Sequence, residues 1–302
     1  MSQADIASAL AVGAAAAVAF GDVIHQRTAH AVPADDIGAL GPITTLLRHW
    51  PWWLGTLISL VGFGLQAAAL GVGSVVLVQT IMVSSLLFAL VIESRWAKRR
   101  VTGYQWGAAI LLAGAISVVV SVGNPVAGMP HATPQLWMQV AAVIGPVTLL
   151  CLEGARRWPG PRRAVLLAVA SGIMWGLMAV LTKGVVDSLG HGIVSLLINP
   201  ESYALAAVGI TGVALQQSAF HAGTLVASLP TMTVTEPVVA SLLGILVLGE
   251  SFRTNTFGAM MLVFAVVIMV AATAALARSE AVLQARVSET TGNTPPTTPK
   301  VS

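Results

Sequence analysis

Charge is what this chain has least of. Of its 302 residues only 9% are Asp, Glu, Lys or Arg, and 56% are hydrophobic, against about 25% charged residues in an average soluble domain. That excludes a soluble globule and a disordered chain and leaves a polytopic helical membrane protein. A single cysteine, Cys151, excludes an internal disulfide and a cysteine-based zinc site. The six histidines are scattered without metal-ligand spacing. No His/Asp/Glu constellation adjoins a Ser or Cys nucleophile, and no phosphate-cradling glycine loop is present. An enzyme is therefore the least supported class, and no cofactor is implied. The net charge of +3 is too small to argue for nucleic acid.

What is present is a series of apolar segments of roughly 20 residues, the length that crosses a bilayer. Nine are expected, near 6–26, 52–71, 74–93, 104–122, 135–152, 164–184, 203–222, 225–248 and 256–277. The first could instead be a signal peptide cleaved at Ala29-His30-Ala31, but its leading end is acidic (Asp5) and lacks Lys and Arg. Thirteen of the fifteen Lys and Arg residues fall on one side of this layout, in the loops after segments 1, 3 and 5 and in the C-terminal tail. Lys183 and Arg253 are the two exceptions. Positive charge marks the cytoplasmic face, so the N-terminus is expected outside and the C-terminus in the cytoplasm of a multi-pass cytoplasmic-membrane protein. Residues 28–50 are expected on the cytoplasmic surface. The Thr/Pro/Ser-rich tail, 279–302, is expected to be disordered.

Two stretches, 53–120 and 203–270, resemble each other. Gln66 falls opposite Gln216 (216 − 66 = 150), Gly73 opposite Gly223 (223 − 73 = 150), and Trp106-Gly107-Ala108 opposite Phe257-Gly258-Ala259 (258 − 107 = 151). Ala19-Phe20-Gly21 in the first segment echoes Met174-Trp175-Gly176 in the sixth. An odd number of spans separates the units, so they would insert with opposite orientation, the layout of alternating-access transporters. The expected fold is all-α and polytopic. Nine transmembrane helices form two inverted four-helix repeats (1–122 and 163–278), with a central helix between them (123–162).

Glu236 stands beside Pro237 in the middle of the eighth segment. A carboxylate at bilayer depth costs roughly 2.5–3.5 kcal/mol even on the lenient insertion scale. The proline withholds an N–H from the carbonyl of Thr233, four residues back. A span that accepts both defects together is expected to line a cavity. At 1.5 Å per residue Glu236 lies roughly 16 Å into its helix, near the midplane.

The run Thr235-Glu236-Pro237-Val238-Val239-Ala240-Ser241-Leu242-Leu243-Gly244-Ile245-Leu246-Val247-Leu248-Gly249-Glu250, followed by Thr254 and Gly258, resembles the EamA-type repeat of the drug/metabolite transporter superfamily. The first unit matches more weakly. Ser85 and Leu86 stand where the Glu-Pro pair would be, and Glu93 is not in a Gly-Glu dipeptide. The nine-span layout is similar to that of NIPA-type magnesium transporters of the same superfamily, as are Trp53-Leu54-Gly55 before Gly62-Phe63-Gly64 and Thr224-Leu225-Val226 before Pro230. The resemblance implies the fold and transport, and leaves the cargo open.

The residues that could line a substrate or ion pathway are Glu236, Pro237, Thr233, Thr235, Gln66, Gln216, Gln217, Asp22 and Lys183. Each also has a plain structural reading. The threonines can satisfy backbone carbonyls, and the glutamines can hydrogen-bond helices together. Asp22 can be an interfacial charge, and Lys183 can snorkel to the interface. Trp50, Trp52, Trp53, Trp137 and Trp158 read as interfacial anchors. The partners are a small-molecule or cation cargo and the lipid bilayer, with a second copy of the chain as a further option. One functional reading is a proton-coupled carrier of a small metabolite or drug, with Glu236 as the titrating group. Magnesium transport is the alternative, for which the carboxylates are Glu236 and Asp22. A lipid flippase or a non-transporting scaffold comes after these. A cysteine placed at Ala34, in a variant lacking Cys151, should label only from the cytoplasmic side; labelling from the outside alone overturns the orientation.

Overall fold

A computed structural model describes residues 3–31, 50–96, 101–159, 161–222 and 225–292. The chain is an all-α polytopic membrane protein. Its helices are α1 (Gln3–Ala31), α2 (Trp50–Val72), α3 (Val75–Met82), α4 (Ser85–Trp96), α5 (Gly103–Ser121), α6 (Pro134–Arg157), α7 (Pro161–Gly190), α8 (Ile193–Ile198), α9 (Pro200–Ala222), α10 (Leu225–Leu246) and α11 (Thr256–Gly292). Strands β1 (Pro125–Val126) and β2 (Ser251–Phe252) pair antiparallel and tie the loop after α5 to the loop after α10. Among the described residues, seven helical stretches are long and apolar enough to cross a membrane: Gln3–Ile24, Trp50–Val72, Val75–Trp96, Gly103–Ser121, Pro134–Arg157, Arg162–Gly190 and Thr256–Ser279. In α10 the apolar part is shorter, Thr231–Leu246. α9 carries Glu201, Gln216 and Gln217 in its 23 residues and does not reach the same hydropathy.

Two local expectations differ from the structure, and a third lies largely outside the described residues. The third apolar segment is two helices, not one. Between α3 and α4 the bonds tighten from i−4 to i−3, with Ser84 N–H donating to Ile81 O at 2.8 Å and Leu87 N–H to Ser84 O at 2.9 Å. Neither Pro nor Gly marks this break. At the other end of the chain α11 continues to Gly292, well into the stretch expected to be disordered. Residues 280–291 contain no Pro or Gly, and the first prolines are Pro295 and Pro296. Of the stretch 28–50, residues 28–31 complete α1 and Trp50 opens α2, while 32–49 lie outside the described residues.

Glycine sets the closest helix contacts, as expected where lipid offers no hydrophobic drive between helices. A Cβ at Gly172 would lie 2.7 Å from Thr235 Cβ, and one at Gly176 would lie 2.9 Å from Glu236 O and Ala240 N. The Gly172-x-x-x-Gly176 face of α7 thus lets the backbone of α10 come in directly. The crossing of α1 with α2 uses Gly62, whose added Cβ would meet Val18 Cγ2 at 2.8 Å. The crossing of α7 with α9 uses Gly212, whose added Cβ would meet Met174 Cβ at 3.3 Å (212 − 62 = 150).

One end of the bundle is joined by a buried ion pair. Three residues past the end of α10 stands Gly249, whose φ of 69° suits a residue without Cβ. The turn sends Glu250 back into the core, where it is 3% exposed. Its Oε1 accepts from Val75 N–H at 2.6 Å and its Oε2 from Val76 N–H at 2.9 Å. Ser74 Oγ accepts from Leu77 N–H at 3.0 Å. Three N–H groups that a helix start leaves open are thereby satisfied, and a negative charge sits at the positive end of α3. Lys183 of α7 completes the set, with Nζ 2.9 Å from Glu250 Oε1 and 3.0 Å from Gly73 O. A Cβ at Gly244 would stand 2.8 Å from Glu250 Oε2, so the glycine makes room for the carboxylate. Lys183 therefore does not snorkel to the interface, as the sequence suggested. A carboxylate from another part of the chain holds it inside.

Removing one member of a buried pair leaves an uncompensated charge and costs about 3–5 kcal/mol. Lys183→Met should lower the thermal unfolding midpoint of the purified protein in detergent more than the double change Lys183→Met with Glu250→Gln. Equal losses in the single and double variants would show that the two side chains are not coupled.

Candidate functional site: a carboxylate pair in the bundle

Glu236 is half-buried on α10, and Pro237 beside it is buried. The helix presents this pair at its closest contact with α7, where Gly172 and Gly176 receive the backbone of residues 235–240. Thr233 and Thr235 are half-buried on the same helix; Thr235 Oγ1 donates to Thr231 O at 2.7 Å. That bond is the structural reading of the threonine stripe, and it leaves a hydroxyl oxygen able to accept.

Asp22, on α1, lies close enough to Glu236 for the two charges to act on each other. It is exposed. Glu236 is surrounded more completely. The structure thus brings together two of the expected pathway residues that the sequence separates by more than two hundred positions. Among the described residues no ion pair or hydrogen bond joins either carboxylate to a partner. Two carboxylates within reach of each other's charge make it costly for both to be ionised at once. Among the described residues, no group of three or more His, Cys, Asp or Glu side chains forms a metal site.

The glutamines differ from each other. Gln216 is half-buried on α9 and its Oε1 accepts from the indole N–H of Trp175 on α7 at 3.1 Å. Gln66 is half-buried on α2. The side chain of Gln217 lies outside the described residues. Two polar groups at the broken helix escaped the sequence reading. Gln79 Nε2 and Ser84 Oγ are buried without a hydrogen-bond partner among the described residues. Such orphans are rare in folded proteins and mark places where water or a ligand completes the bonding. Nothing in the local sequence sets them apart, because neither residue is charged.

A second polar cluster also went unread. His131, in the loop before α6, has Nδ1 2.8 Å from Glu201 Oε2 and Nε2 3.0 Å from Asp187 Oδ2. Trp137 Nε1 donates to Glu201 Oε1 at 2.9 Å. Trp137, expected as an interfacial anchor, is thus also a hydrogen-bond donor to a buried carboxylate. Trp50, Trp53 and Trp158 are exposed at helix ends. Glu153 pairs with Arg157 at 2.8 Å on the exposed end of α6, as a solvated interfacial charge does.

No family model matches the chain, and no solved structure matches it. A protein of Corynebacterium glutamicum, described as uncharacterized and designated Cgl0250/cg0304, is 33% identical over 279 residues, which cover 91% of this chain and 95% of the relative. At that identity and coverage the chain belongs to the family of this Corynebacterium glutamicum protein.

Proposed function

We propose that the chain is a secondary transporter of the drug/metabolite transporter type. It works by alternating access and carries a small metabolite or drug across the cytoplasmic membrane. In this reading nine spans form two inverted repeats, and α6 stands between them. The N-terminus is outside and the C-terminus is in the cytoplasm. The observation that carries the reading is the carboxylate of Glu236, half-buried in the membrane-spanning bundle with no partner among the described residues and with Asp22 near enough to act on its charge. An ionisable residue at this depth has a functional role by default, because lipid offers its charge no partner. Two further observations support it. Glycines 150 positions apart, Gly62 and Gly212, make corresponding helix crossings (212 − 62 = 150). The joint at Val83–Ser84 falls one residue before the positions matched to the Glu236-Pro237 pair (236 − 85 = 151), although α10 itself runs unbroken from Leu225 to Leu246. Interrupted helices near the midplane are where transporters of this kind form their sites.

Mechanistically, Glu236 takes up a proton from one side and releases it to the other, and its charge state selects which side of the cavity is open. Asp22 raises the cost of having both carboxylates ionised at once, so cation or proton occupancy becomes a condition for a compact state. Gln66 and Gln216 supply amide donors and acceptors along the path. The same carboxylate pair favours a second reading, transport of magnesium, which takes one or two carboxylates together with water.

Glu236→Gln keeps the shape and removes the charge. In proteoliposomes it is expected to insert and fold as wild type and to lose all dependence of cargo uptake on an imposed pH gradient. An unchanged pH profile would make Glu236 structural and end the proton-coupling reading. A magnesium-sensing dye trapped in the same vesicles decides between the two cargoes. Uptake that follows magnesium and ignores the pH gradient selects the cation reading.

A further inference from the structure

The loop between α5 and α6 crosses the end of the bundle where the Lys183–Glu250 pair lies. It is held there by Met129 N–H, which donates to Leu248 O at 2.8 Å, and by the β1–β2 ribbon. The loop is also attached to the bundle through His131. Its ring lies between two carboxylates from different helices, Asp187 of α7 and Glu201 of α9. Both ring nitrogens are at hydrogen-bond distance from a carboxylate oxygen. An ionised carboxylate only accepts, and a neutral imidazole has one N–H. The two contacts are therefore both hydrogen bonds when the ring carries two protons. With one proton lost, one nitrogen presents its lone pair to a carboxylate at about 3 Å, which is repulsive.

The surroundings are built for this contact. A Cβ at Gly184 of α7 would collide with Glu201 Oε2 and reach His131 Nδ1 at 3.1 Å, so the helix has a glycine where the clasp passes. Glu201 is buried and its second oxygen is occupied by Trp137. Asn199 Oδ1 accepts from Glu201 N–H at 2.9 Å and fixes the start of α9. The other charged or titratable group in reach is His191, whose Nδ1 is 3.8 Å from Asp187 Oδ2 and which is itself exposed. Lys183, one turn before Asp187, is engaged by Glu250.

We propose that His131 is a proton-operated latch. As imidazolium it clasps α7 and α9 and holds the residue 123–133 crossover on the end of the bundle; when it loses a proton, the crossover is released and that end can open. The side chain is 37% exposed, so the proton leaves to water directly.

Burial acts to lower the histidine's value, but the hydrogen bonds and charges of Glu201 and Asp187 outweigh it and raise it above the usual 6.5. A raised value in the folded state means the stabilisation is fully present below pH 6.5 and is lost as the pH rises through the raised value. The latch thus holds in mild acid and lets go toward alkaline pH.

The test is hydrogen–deuterium exchange on the full chain in nanodiscs across this pH range, read at peptides covering 126–133 and 199–203. Each variant is compared with wild type at the same pH, so the intrinsic pH dependence of exchange cancels. In wild type, corrected protection should fall about tenfold for each unit by which the histidine is raised. His131→Gln should show low protection at every pH. Asp187→Asn leaves a neutral ring able to donate to Glu201 and accept from the new amide, and should stay protected at every pH. The proposal is overturned if His131→Gln runs parallel to wild type, or if Asp187→Asn loses protection with pH as wild type does. Neither outcome depends on cargo, so it stands or fails separately from the transport reading.

Discussion

Burying the carboxylate of Glu250 places a demand on everything near it. A charge removed from water must find several partners in fixed geometry, or the site costs more than it contributes. Here the partners come from three places: two amides at the start of α3, the ammonium of Lys183 on α7, and the space left by Gly244 on α10. The left-handed turn at Gly249 delivers the carboxylate, and Gly73 O takes the remaining reach of the lysine. One end of the bundle is organised by that requirement, and the neighbouring turns of α7 carry the polar contacts to the α5–α6 loop and to α9.

The opposite electrostatic choice is made deeper in the bundle. Asp22 and Glu236 are given no cationic partner among the described residues, although the same fold places an ammonium on Glu250. One buried carboxylate, Glu250, is satisfied fully, while the half-buried Glu236 and the exposed Asp22 show no partner among the described residues. The paired group holds the helices.

What could be read in the sequence followed how local each signal was. The apolar segments are local, and so is Glu236, whose charge interrupts one of them. Gly249-Glu250 was visible as a dipeptide, but its role was not, because Lys183 lies 67 residues away and only the packed bundle joins them. Lys183 read alone resembles a snorkelling interfacial lysine. The break between α3 and α4 was hidden for another reason. It is made by a few bonds shortening to i−3 with no Pro or Gly to announce it, and tertiary packing decides it. His131 was one scattered histidine among six, and its meaning comes wholly from α7 and α9. The extension of α11 was missed because composition was weighed over a whole tail whose first half lacks helix breakers.

The bonds at Glu250 also constrain how the molecule can deform. Its oxygens span α3 and α7 while its backbone continues α10, so the short helix α3 cannot slide along either neighbour without breaking charged bonds in a dry interior. α4 has no such attachment to Glu250, and the 3₁₀-like joint at residues 83–84 separates the two helices. A rocking motion would therefore carry α3 as cargo of the α7–α10 half and bend the chain at the joint. The place where the chain would bend then lies inside what the sequence shows as one apolar segment, 74–93.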